Sequence, residues 1–391
     1  MKKLAAFGTA LILFIISVII LHFTVAGRVT VEAGGFGTWI NTYKDMSYKA
    51  VAENIGEDTV MYLGSSEFQH GEDTPYHPTE IFRSMKMDVM CIGAAYNQCL
   101  SHAITMGALG PELTTKKAVL ILSPAWFNGP GVEKDAYGVR FSESMYMAML
   151  ENPNLSDDVK KKIAARSEDL LSNSPALQEN VKRYDKLFIG NGGNAADRTY
   201  FNMKKAFLGE REAINVKTAW KTTEEKKYKK FMETAKSGTP DWNGLKKQSD
   251  EEFKKLSEGN SFHMDNRLYK KNIEPSLKKE KNSSTARRFW KDSPEYGDLE
   301  IFLQVCREQD IDVELILLPV SGWWYDYTGF TADKRKPLPA QIKAVADKYD
   351  TPLYSFFDRD YTEGWLEDAV HPAGKGWVEI NEEAYRFFTE G

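Results

Sequence analysis

Thr59-Val60-Met61-Tyr62-Leu63-Gly64-Ser65-Ser66-Glu67 is a short β-prone run that stops at a glycine and two serines. Apolar runs of this length bounded by small polar residues read as strands buried on both faces, and the glycine permits a tight turn at the strand end. The pattern recurs along the chain. Val89-Met90-Cys91-Ile92 ends at Gly93 and leads into a helix whose apolar positions include Leu100, Ile104 and Leu109. Ala118 to Leu122 ends at Ser123-Pro124, Val313 to Leu318 is closed by Pro319, and Pro352 to Phe357 makes a fifth run. Leu338 to Tyr349, between the last two, reads as a helix. Strands of this kind alternating with helices predict an α/β domain in three layers, with a central, mostly parallel five-stranded sheet covered on both faces. In such sheets ligands bind beyond the carboxyl ends of the strands.

Residues 151–295 break this rhythm. They are rich in Lys, Glu, Ala and Asn, with helix-compatible segments such as Thr222 to Lys236 and Glu251 to Gly259, and are read as a helical insertion between the two halves of the sheet domain, 28–150 and 296–391. The insertion's charge runs, Lys226-Lys227 and Lys278-Lys279, fit solvated helix faces, with a contact surface for an anionic polymer or a membrane as the alternative. The chain's 391 residues and 42% hydrophobic content suit one large domain, continuous or interrupted. A net charge of −5, with the lysines interleaved among acids, sets nucleic-acid binding aside. Cys91, Cys99 and Cys306 have no metal-site spacing; buried thiols are expected, and a Cys91–Cys99 pair is the alternative.

Residues 1–27 form a separate unit. Leu4 to Ala26 is an apolar run without Asp, Glu, Lys or Arg, and at ~1.5 Å per residue it extends roughly 35 Å, enough to cross a hydrocarbon core of ~30 Å. Lys2 and Lys3 favour a cytoplasmic N-terminus, which puts the remaining chain outside the cell; Arg28 weakens the charge contrast. A cleaved signal peptide is the rival reading, but its apolar region is usually only ~7–15 residues long.

Serine acyl chemistry requires a hydroxyl, a base, a group that orients the base, and N–H donors for the oxyanion. Ser66 lies just past the first strand. Alone, its motif is equally well read as a strand-to-helix turn with Ser65 or Ser66 as N-cap. Asp368-Ala369-Val370-His371 follows the last strand, and its spacing lets the carboxylate reach one ring nitrogen while the other faces a substrate. A doubly wound sheet brings both segments to the same edge. His70, Glu72, Asp73 and His77 lack a recognised ligand spacing, so no metal is expected.

Glycine-x-serine after the first strand and Asp-x-x-His after the last is the arrangement of the SGNH, or GDSL-like, hydrolases. Further motifs narrow the resemblance: Gly64 to Phe68 with His77-Pro78, Gly93 followed by Gln98-x-Leu100-x-His102, and Ser123-Pro124-x-Trp126-Phe127. Pro319-Val320-x-Gly322-x-Trp324-x-Asp326-Tyr327-x-Gly329 and Asp368-x-x-His371-Pro372 complete the set. Together with the N-terminal apolar run they resemble the DltD family, the D-alanyl-lipoteichoic acid biosynthesis proteins of Gram-positive bacteria. The resemblance implies a membrane-bound extracytoplasmic serine acyltransferase with Ser66 as nucleophile, His371 as base and Asp368 as its orienter. It also implies an oxyanion hole from the Ser66 and Gly93 amides; Gln98 and Asn128 are candidates for an added side-chain donor, with a structural role as the alternative for each. Glu67, Gln98, His102, Trp126 and Trp324 are candidates for the substrate cleft; Trp323 shares that reading, and core packing is the equal alternative for the three tryptophans. The implied acceptor is lipoteichoic acid and the implied partner a DltB-like membrane acyltransferase, with membrane lipid around the N-terminal helix and no cofactor. An O-acetyltransferase or esterase on a wall polysaccharide, and a non-catalytic scaffold, are the alternatives. The sequence departs from the SGNH pattern in having Ala95 where a second glycine is expected, and no asparagine beside Ser123.

Overall fold

The computed structural model describes residues 2–31, 35–190, 192–234, 238–283 and 291–390. Helix α1 (Lys2–Leu21) runs on into one π-helical turn, His22–Ala26. It is long and apolar enough to cross a membrane, and none of its residues is buried, so this chain's core does not take up its apolar surface.

After α1, β1 (Val60–Leu63) leads to α2 (Pro78–Met85), and β2 (Val89–Ile92) to α3 (Cys99–Leu109). Between β3 (Lys117–Leu122) and β4 (Asp312–Leu317) the described residues form helices and no strand. They include α4 (Ala195–Ala219) and α5 (Trp242–Ser257), and the chain returns to the sheet through α6 (Glu295–Arg307). Beyond β4 come α7 (Pro337–Asp347), β5 (Leu353–Ser355) and α8 (Gly374–Thr389). The strands form one sheet in the order β2-β1-β3-β4-β5, with every neighbouring pair parallel. The expected α/β architecture is therefore present. From β1 the chain moves one way to β2 and the other way to β3, so the topological switch, where the ends of the flanking loops diverge and leave a crevice, falls beside β1.

The period-2 alternation of side chains divides the sheet between two cores. Met61, Leu63, Leu120, Leu122, Leu315 and Leu317 pack with α3, α6 and α7, whereas Tyr62, Cys91, Val119, Ile121 and Ile316 pack with α2 and α8. Burial of each such aliphatic side chain contributes ~1.5–3 kcal/mol; the one buried acid in a central strand, Glu314 of β4, is paired with Arg386. β5 is shorter than the expected 352–357 segment. It lies at the sheet edge, and Tyr354 and Ser355 are exposed, so its outer side lacks the pairing that would extend it.

Cys91 belongs to one core and Cys99 to the other, so the sheet itself separates them; all three cysteines are free and buried. Burial pushes the Cys91 thiol up to about 12, far from its reactive thiolate form. None of the three should react with a maleimide in the native protein, and all should react after denaturation, as read by intact mass. Rapid native labelling of Cys91 would contradict this packing.

Candidate active site

The turn after β1 is fixed from several sides. The Gly64 amide continues the ladder to the Ile92 carbonyl at 3.1 Å, and the Gly64 carbonyl accepts from His102 Nε2 at 2.8 Å. The Ser65 amide donates to Glu67 Oε1 at 2.6 Å, and Ser65 Oγ donates to the Ala94 carbonyl at 3.1 Å. Gly93 comes so close that an added Cβ would meet the Gly64 carbonyl oxygen at 2.3 Å, leaving only glycine a fit there. These contacts hold Ser66 at the first position of a short 3-10 turn, half-buried, with its amide lacking an acceptor among the described residues.

The partner segment is a tight loop closed by the Glu367 amide donating to the His371 carbonyl at 2.9 Å. Asp368 Oδ1 accepts from the Val370 and His371 amides, both at 2.9 Å, and His371 Nδ1 donates to Asp368 Oδ2 at 2.8 Å. His371 Nε2 lies 2.9 Å from Ser66 Oγ. The helical excursion props up this loop, since the Asp265 amide donates to the Glu367 carbonyl at 2.8 Å. Ala369 and Val370 rest on a third core containing Phe262, Met264 and Trp324.

Two sequence expectations require correction. The Gly93 amide donates to Asp45 Oδ2 at 3.2 Å, so it is engaged and does not complete an oxyanion hole in this arrangement. Asp45 is buried beside Lys44, and burial pushes its carboxyl up to about 7. Trp126 and Trp324 do not line a cleft: they are 5% and 0% exposed, because their indoles pack into the sheet core and the third core respectively. Trp323 is half-buried, packed between His263 and Tyr361.

The other candidates take structural positions. Glu67 closes the Ser65 turn, and His102 is fully buried with its pKa lowered to about 4 by burial, so it is a neutral donor to Gly64. Gln98 caps α3 and is nearly buried, with Oε1 lacking a partner. Asn128 is taken up in its own turn, donating to Ala125 and accepting from Gly131. His77 is buried and accepts from the Thr79 amide as the cap of α2.

Two residues that the motifs did not single out for this role stand against the base. The His70 ring stacks on the His371 ring, with centroids 3.7 Å apart and planes 7° apart, and His70 Nδ1 lies 2.5 Å from Glu367 Oε1. The closeness of His70 to Ser66 in sequence was the available signal; the short 3-10 turn ends at Gln69 and His70 leaves it in an extended conformation. His70 and Glu367 also line a cavity of about 710 Å³ together with Gln69, Pro372, Lys227 and Lys271. Ligand atoms of His70, Asp368 and His371 fall within 4.8 Å of one another, but both His371 nitrogens and the Asp368 carboxylate are already hydrogen-bonded, a pattern suited to moving a proton.

Burial opposes charge on His371, but the Asp368 hydrogen bond and the charges of Asp368, Glu67 and Glu367 outweigh it and raise its pKa above the ordinary 6.5. For Asp368, burial acts upward and is outweighed by His371 and two backbone amides, so its pKa is lowered. Only neutral His371 can accept the Ser66 proton. Reaction at Ser66 should therefore fall as pH drops through a limb lying above 6.5. Asp368→Asn should move that limb down and lower the plateau by roughly 10³–10⁴-fold, measured as the pH dependence of serine-probe labelling. An unmoved limb would contradict the assignment of His371 as the titrating base.

Residues 36–389 match the family model described as DltD protein. The chain is 28% identical to Protein DltD of Bacillus subtilis over 338 residues, covering 84% of this chain and 82% of that protein. It is 27% identical to Protein DltD of Staphylococcus aureus over 322 residues, covering 82% and 78%. Since the family match takes in the whole sheet domain and the helices inserted in it, this chain belongs to the DltD family.

Proposed function

We propose that the protein is an extracytoplasmic serine acyltransferase of SGNH type that completes D-alanyl ester transfer to lipoteichoic acid. The observation that carries this reading is the unbroken chain from Ser66 Oγ through His371 to Asp368, with links of 2.9 and 2.8 Å between segments 305 residues apart. An ordinary capped turn gives no reason for a serine hydroxyl to meet an imidazole whose other nitrogen is held by a carboxylate. The family resemblance supplies the D-alanyl group and the teichoic acid.

In the proposed reaction His371 takes the Ser66 proton while Oγ attacks the carbonyl of an activated D-alanyl group. The tetrahedral oxyanion collapses to the acyl-serine, and His371 returns the proton to the departing group. A glycerol-phosphate hydroxyl of the teichoic acid then gives its proton to His371 and attacks the acyl-serine. Collapse releases the D-alanyl ester and restores Ser66. The Ser66 amide is the donor at hand for both oxyanions, since the Gly93 amide is taken by Asp45.

An apolar α1 across the membrane with its N-terminus in the cytoplasm holds this site at the outer surface. The family's cytoplasmic activation of D-alanine then requires a DltB-like membrane acyltransferase to pass the group across. Ser66→Ala, expressed in cells lacking the native protein, should leave teichoic-acid D-alanyl ester at the level of the deletion strain. Loss of wall O-acetyl groups with D-alanine unchanged would assign the triad to the alternative acetyl chemistry. Full complementation by both Ser66→Ala and His371→Ala would make the protein a scaffold.

A further inference from the structure

We propose that His70 and Glu367 are positioning residues, a second carboxylate–imidazole couple that clamps the His371 ring in line with the Ser66 hydroxyl. The proposal rests on the reading of Ser66 and His371 as nucleophile and base. It adds two residues to which nothing in that reaction has assigned a part.

The couple is built from the same two segments as the base and nucleophile. His70 lies just past the 3-10 turn that begins at Ser66, and Glu367 immediately precedes Asp368, so neighbouring carboxylates hold two stacked imidazoles whose ring centroids lie 3.7 Å apart. The backbone of His70 is fixed at both ends: its amide donates to the Glu67 carbonyl and its carbonyl accepts from Trp377 Nε1, each at 2.9 Å. The Glu367 amide and carbonyl are likewise engaged, by His371 and Asp265. A ring held this firmly leaves His371 little freedom to swing out of plane. It also covers one face of His371 on the side where His70 and Glu367 line the cavity. Positioned catalytic groups lose rate steeply when they drift by about an ångström.

The carboxylates around the stack also act on the base: Asp368, Glu67 and Glu367 favour the charged form of His371. During proton transfer from Ser66 the positive charge develops on His371. His70 meets Glu367 through Nδ1 and keeps its ring face against His371. Glu367 adds a carboxylate that favours protonated His371.

The test uses full-length protein in detergent and a fluorophosphonate, which reports on an activated serine whatever the natural acyl group. His70→Ala should slow Ser66 labelling by about 10–100-fold, and His70→Phe, which restores a flat ring, should recover most of that loss. Glu367→Gln should move the acid limb of the labelling rate to lower pH, because one carboxylate that favours protonated His371 is gone. That shift reports the Glu367 charge on His371, whereas the loss in His70→Ala and its recovery in His70→Phe report the clamp. Should His70→Ala fail to fold, His70→Phe and Glu367→Gln still decide the matter. Wild-type rate in both His70 variants with an unmoved Glu367→Gln limb overturns the clamp alone. Equal labelling of wild type and Ser66→Ala overturns the nucleophile reading and the clamp with it.

Discussion

The Ser66 hydroxyl and the His371 imidazole meet across 305 residues because every strand of the sheet points the same way. A parallel sheet delivers all its strand ends to one edge, and the chemistry there depends on that delivery being accurate to a hydrogen bond. β1 and β2 secure it through a backbone approach so close that Gly93 has no room for a side chain against Gly64. His102 then takes the Gly64 carbonyl from the α3 side. The glycines and the buried histidine thus set the geometry of a serine they never touch.

The other half of the site is held differently. β5 is a short edge strand, and the loop carrying Asp368 and His371 lies well beyond it, so the sheet alone cannot fix the loop. Residues from the helical excursion do so instead, with Asp265 bonded to the Glu367 carbonyl and Phe262 and Met264 beneath Ala369 and Val370. Trp324, a buried indole in that third core, supports the loop from below, the core-packing alternative rather than a cleft wall. The excursion is in this sense part of the candidate site's foundation, although among its described residues no side chain reaches Ser66 Oγ by hydrogen bond.

Much of this was legible in the sequence because it depends on short-range pattern. Apolar runs ending in glycine, serine or proline located four strands to within a residue or two, and the positions of Ser66 at the end of the first strand and of Asp368-x-x-His371 beyond the last followed. What was not legible depends on contacts between distant segments. Nothing near Gly93 announces that Asp45, almost fifty residues earlier, takes its amide. The burial of Trp126 and Trp324 is decided by which helices cover them, and a tryptophan suits a core and a cleft equally well. β5 fell short because, unlike β2, which is also an edge strand but fully buried, it leaves Tyr354 and Ser355 exposed with little packing to extend it. The stack of His70 on His371 lay between these cases: its spacing from Ser66 was visible, but its meaning appeared only with Glu367 and Asp368 in place.

The central claim is that Ser66 carries an acyl group during turnover. It is tested most directly by acid-quenching membranes that contain the full protein and its source of activated D-alanine, followed by mass spectrometry of the Ser66 peptide. The account expects a mass increment of one alanyl group on Ser66, absent from Ser66→Ala. Ongoing D-alanylation with Ser66 unmodified, or with the alanyl group on another residue of this chain, would contradict it.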